Sequence, residues 1–191
     1  MTDVNPGAKL EYDTRVQQLV GRSIVDVSYH EILYKDETET LLYGPLWNLN
    51  LDFDSLDYGM DLMFSDGSMC HICWGDEFVQ YGLSIQWKPQ EYTNGVRAWR
   101  VALASRWNSL LSRRIYAANV YWSWLQYDHT PERTYYPQTV QLTFDNSAQV
   151  YLSAFEIRGS DFQMGCMDHV TVFFDSKKAV EFGAWPVDGL P

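Results

Sequence analysis

The chain predicts a mainly β fold with a few short helices, α+β only in that limited sense. It reads as two tandem pseudo-symmetric units, each a β-hairpin with flanking strands, packed as a sandwich or as one continuous sheet. Three observations predict this. Segments recur in the same order in the two halves; alternating apolar runs are divided by turn residues; and aromatics reach 16% of 191 residues, side chains that favour pleated surfaces.

The first recurrence sets "TRVQQLVGRSI", from Thr14, over "SRWNSLLSRRI", from Ser105, without a gap. Arg15 matches Arg106, Leu19 matches Leu110, Arg22 matches Arg113 and Ile24 matches Ile115. In each copy a short helical turn ends near Gly21 or its counterpart Ser112, and a strand begins at the shared isoleucine. A second block pairs "MDLMFSDGSMCHICW", from Met60, with "VQLTFDNSAQVYLSA", from Val140. Asp66-Gly67 is a strong cue for a two-residue hairpin turn, because both central positions then need positive φ; Asn146-Ser147 is a weaker one. A third block sets "QYG", from Gln80, against "QMG", from Gln163, each followed by an apolar run that predicts a fourth strand.

These blocks divide the chain into a first unit at 1–87 with an insertion at about 41–56, a linker at 88–104 and a second unit at 105–175. A C-terminal helix and tail occupy 176–191. The linker carries "KPQEYTNG", rich in chain breakers. The final helix is predicted at "SKKAVEFG", with Ser176 as N-cap and Gly183 as the stop. Two units of this size joined by a short linker predict one compact domain.

The formal net charge is −11, which opposes binding to nucleic acid, where a basic surface must neutralise phosphates, and to an anionic membrane. No apolar run approaches the roughly 18 residues of a membrane span. "MTDVNPGAKLEYD" has no basic start or apolar core and does not read as a signal peptide. Three cysteines, an odd number, then predict reduced thiols in a cytoplasmic protein.

Two stretches ask for chemistry. "SMCHICWGDE" holds Cys70, His71 and Cys73, and "CMDH" holds Cys166, Asp168 and His169. Zinc takes such ligands, but from turns that aim both members of a pair at one point. Here Cys70 and Cys73 fall on opposite faces of a predicted strand, and Cys70 aligns with Val150, an apolar slot. Cys70, Ile72 and Trp74 are therefore expected to face the core. Cys166 lies near Asp161 and Asp168, which would raise rather than lower a thiol pKa. No nucleophile elbow, phosphate loop or zinc-protease motif is present in the sequence, so no catalytic residue, metal or cofactor is expected.

Charge layout is more informative. From Asp36 to Trp87 there are ten acids and no Lys or Arg, whereas from Tyr92 to Tyr127 there are five arginines and no acid. Intramolecular pairing between the two stretches is the plain account, yet five arginines cannot cover ten acids. The insertion, absent from the second unit, places Asp52, Asp54 and Asp57 beside Trp47 and Phe53. Acids flanking aromatics suit an interface that steers a basic partner and then anchors it. The expected partner-binding set is Asp36, Glu37, Glu39, Trp47, Asp52, Phe53, Asp54, Asp57, Asp76 and Glu77. "VYWSWLQY", from Val120, offers Trp122 and Trp124 as a second surface, either buried on both faces or open for ligand stacking.

The expectation is a non-catalytic, acidic cytoplasmic binding protein of bacterial type, an inhibitor or immunity protein that neutralises a basic, nuclease-like toxin. One alternative is a carbohydrate or small-ligand module using Trp122 and Trp124; another is an enzyme of unspecified type. The oligomeric state is not readable from the sequence.

Overall fold

The computed structural model describes residues 5–33, 38, 47–88, 95–101, 106–126, 131–158 and 162–187, leaving aside the side chains at 158 and 162–164. The chain opens with helix α1 (Pro6–Gln17), where Asn5 accepts a bond from the Gly7 amide at 3.0 Å and Pro6 stands at a position needing no donor. Tyr12, Val16 and Leu19 carry this segment into the core, and the Tyr12 hydroxyl donates to the Leu83 carbonyl at 2.9 Å.

Two antiparallel five-stranded sheets follow. The first contains β1 (Ile24–Ile32), β3 (Gly59–Phe64), β4 (Met69–Gly75), β5 (Gly82–Gln86) and β6 (Val96–Arg100), in the order β5-β4-β3-β1-β6. The second contains β2 (Phe53–Leu56), β7 (Ile115–Gln126), β8 (Arg133–Phe144), β9 (Gln149–Arg158) and β10 (Phe162–Phe173), in the order β2-β10-β9-β8-β7. Four strands of each sheet form a meander, and β1-β3-β4-β5 in one matches β7-β8-β9-β10 in the other. The fifth strand crosses over in both cases. Strand β2, from the insertion, pairs Phe53 with Phe173 and Leu56 with Val170 in the second sheet. Strand β6, from the expected linker, pairs Trp99 with Tyr29 in the first.

The sheets share a single large core in which Val27, Leu62, Cys70 and Ile72 from one are clustered with Val140, Leu142, Val150 and Val172 from the other. Alternation along each strand supplies these inward residues. The outer face of the second sheet is also covered. Helix α2 (Ser176–Glu181) and the segment after it bring Ala179, Ala184 and Trp185 against Phe53, Tyr151, Phe155 and Phe173.

Local details differ from expectation at three places. The hairpin tip is not a two-residue primed turn. Gly67 donates to the Phe64 carbonyl at 3.0 Å, Phe64 donates to Ser68 at 2.9 Å, and only Gly67 has positive φ. That is a three-residue loop with a left-handed third residue, and Ser147 holds the same place in the second hairpin. The N-cap of α2 is Asp175, not Ser176: its extended backbone lets its carboxylate accept from the Lys177 amide at 2.8 Å. Cys70 and Ile72 are buried as expected, whereas Trp74 is only partly covered, edge-on to Tyr58 and Tyr81.

Candidate interaction surface

The expected acidic surface resolves into several different environments. Asp36, Glu37 and Glu39 lie outside the described residues. Trp47 is half-buried, edge-on to Tyr29 at 5.2 Å. Asp52 is exposed and meets the Lys178 ammonium at 3.2 Å. Asp57 accepts from the Ile32 amide at 2.9 Å, which ties the turn before β3 to the end of β1.

Phe53 and Asp54 correct the expectation. Each is only 3% exposed, so neither presents itself to a partner. Phe53 lies between Phe173 and Phe182, because β2 has joined the second sheet. The Asp54 carboxylate accepts from the Tyr29 hydroxyl at 2.8 Å and faces the Arg106 guanidinium at 3.3 Å; Trp107 Nε1 in turn donates to the Tyr29 oxygen at 2.6 Å. Burial pushes the Asp54 carboxyl above its ordinary value, against the opposing pull of Tyr29 and Arg106. This chain of contacts fastens the insertion to both halves.

Asp76 and Glu77 remain as surface acids. They follow β4 and line a cleft of about 540 Å³, together with Arg15 of α1 and Ser84, Trp87 and Lys88 in and just after β5. Glu77 is paired with Arg15 across this cleft. Asp76 is exposed and makes no ion pair among the described residues. Trp87 Nε1 donates to the Arg15 carbonyl at 3.0 Å, and the Arg22 guanidinium lies over its ring at 4.7 Å, so the cleft wall is braced from within.

Three arginines between Tyr92 and Tyr127 contact acids or carbonyls of the first half. Arg100 meets Asp26 at 2.6 Å, Arg106 meets Asp54, and Arg114 Nε donates to the Gly21 carbonyl at 3.2 Å. Arg22 is paired with Asp66 at the hairpin tip, where the Ser68 hydroxyl and amide hold the carboxyl below its ordinary value.

The aromatic pair on β7 is not an open platform. Trp122 is edge-on to Tyr12 at 5.5 Å and to Phe78 at 5.0 Å, and its Nε1 donates to Asp13 at 3.1 Å. Only Trp124 is exposed, and Arg133 already lies over its ring at 3.9 Å.

The two cysteine stretches separate as well. Cys70 lies in the core, and burial raises its thiol well above the ordinary range; burial also pushes Cys73 and Cys166 up to about 11. Cys166 donates to the Gln80 carbonyl at 2.8 Å. His71 has the role that sequence reasoning missed. On the face of the first sheet away from the core, its Nδ1 lies 2.8 Å from one oxygen of Asp61, and His30 Nε2 lies 2.8 Å from the other. Period-two alternation puts His30, Asp61 and His71 on one face, but only the strand register makes them neighbours: Asp61 pairs directly with His71, and His30 is beside them on β1.

Compared with known proteins, the chain matches no family model, and no curated protein or solved structure matches it significantly. Among the described residues no helix is long and apolar enough to cross a membrane.

Proposed function

We propose that this chain is a non-catalytic acidic binding protein that inhibits a basic protein, with a nuclease-like toxin as the partner class. The observation that carries this reading is the division of charge. Arg15, Arg22, Arg100 and Arg106 are each engaged by an acid of the same chain, and the molecule still carries a formal charge of −11. Such a surface speeds encounter with a basic partner and repels nucleic acid, the substrate that a nuclease partner would otherwise hold.

The contact region in this reading is the exposed acidic pair Asp76 and Glu77, with Asp52 as an outlying contributor. Phe53 and Asp54, buried on β2 at the edge of the second sheet, serve as structural supports only. The test is capture of the partner from the native host, followed by assay of the purified pair. A basic partner whose activity is abolished by one equivalent of this chain supports the reading. Association should slow by at least about tenfold between low and physiological-plus salt, as steering is screened. A partner with an acidic surface, or salt-independent association, overturns it.

A further inference from the structure

The observation lies at an irregularity in the second sheet. Along β9 and β10, Gly165 pairs with Phe155, but the next partner of β9, Ala154, pairs with Val170. Residues 166–169 are therefore extruded opposite a single step of the neighbouring strand. At Gly165, where the extrusion starts, a Cβ would stand 2.7 Å from the Tyr136 hydroxyl oxygen and 2.9 Å from Gln138 Oε1, so the position takes glycine. Cys166 follows with φ of +61°. Bulges of this kind re-aim side chains that a regular strand would hold on alternate faces.

Here the re-aimed side chains are Asp168 and His169, and they converge on Glu156 of β9. His169 Nδ1 lies 3.3 Å from Asp168 Oδ1 and 3.7 Å from Glu156 Oε1. One donor atom from each residue falls within 4.8 Å of the other two. Four ligands held tetrahedrally at zinc bond lengths of 2.0–2.1 Å are separated by about 3.3 Å, so two edges of this triangle already approach a zinc coordination polyhedron. The charges also suit a dication: two carboxylates and a neutral imidazole balance it. Glu156 is 2% exposed and sits on the rigid strand, while Asp168 is half-exposed and provides the route to solvent.

We propose that Glu156, Asp168 and His169 form a divalent transition-metal site, with zinc as the preferred ion. The imidazole nitrogen favours zinc over calcium, and three donors leave at least one coordination position for water. Cys166 takes no part, because its thiol faces Gln80. The site clamps the extruded segment of β10 to β9, so loading raises the melting temperature by linkage.

The test is calorimetric titration of the chelator-treated full chain with zinc chloride, alongside thermal melting. One ion per chain is expected, with Asp168→Asn and His169→Gln each weakening binding at least about tenfold, since losing a ligand should exceed the loss of an outer-shell partner. Cys73→Ser should leave the affinity unchanged. Asp168 is the primary position because its exposure spares the fold, and circular dichroism of both variants verifies this. Absence of saturable binding overturns the proposal, as does binding that survives both substitutions or calcium binding tighter than zinc.

Discussion

The Gly21 amide donates to the Ile115 carbonyl at 2.8 Å, and the Ser112 amide donates to Ile24 at 2.7 Å. These are counterpart positions in the two aligned segments, and a reciprocal pair of bonds is what an approximate two-fold axis between them generates. Gly21 and Ser112 both have positive φ, at 88° and 63°, which aims each amide back at the other segment.

The two left-handed positions differ in residue type, so opposite substitutions should move stability in opposite directions. Gly21→Ala is expected to cost about 1–2 kcal/mol of backbone strain, since an added Cβ meets only the movable Arg114 side chain at 3.4 Å. Ser112→Gly should stabilise by up to about 1 kcal/mol. Urea denaturation of both variants checks the signs.

Asp54 and Asp76 should separate cleanly as core and surface acids. Asp54→Ala removes the acceptor of the buried Tyr29 hydroxyl and the partner of Arg106, with an expected loss of about 2–4 kcal/mol. Asp76→Asn should change stability by less than about 0.5 kcal/mol while slowing association with a basic partner. Chemical denaturation paired with stopped-flow association distinguishes the two effects.

Asp61 should govern part of the acid limb of stability. Burial opposes its ionisation, but hydrogen bonds from His30 and His71 outweigh this and hold the carboxyl well below its ordinary value of 3.8. With the folded value depressed, the stabilisation is complete above the unfolded value and is lost as pH falls from there toward the folded one. Asp61→Asn is expected to lower stability at neutral pH by about 2–3 kcal/mol and to flatten the decline between about pH 5 and pH 3. Urea midpoints across that range provide the measurement.

Trp122 and Trp124 should differ as a packed residue differs from an exposed one. Trp122→Ala is expected to cost about 3–5 kcal/mol by opening a cavity under α1, and Trp124→Ala less than about 1 kcal/mol. Glycan titrations monitored by Trp fluorescence should show no saturable quenching in the wild type; saturable quenching lost in Trp124→Ala would restore the ligand-module reading.

Much of the fold was legible because its signals are local. Asp66-Gly67 marks a hairpin, period-two alternation marks the strands around it, and Cys70 in a slot matched by Val150 marks an inward position. Each depends on residues within one or two strands. The candidate surface was less legible, because exposure depends on what the rest of the chain covers. Asp52, Asp54 and Asp57 look alike in sequence, yet β2 joins β10 and draws Phe53 and Asp54 inward while Asp52 stays at the surface.

By itself, then, the sequence determined the mainly β class, the hairpins, the closing helix and the acidic balance of the molecule. Tertiary structure alone decided that β2 and β6 each complete a sheet made mostly of other segments. It also decided that His30, Asp61 and His71 meet on one face, and that the extrusion after Gly165 turns Asp168 and His169 toward Glu156. The physical reason is common to all three. Strand pairing brings together residues remote in the chain through backbone hydrogen bonds whose register no single segment encodes.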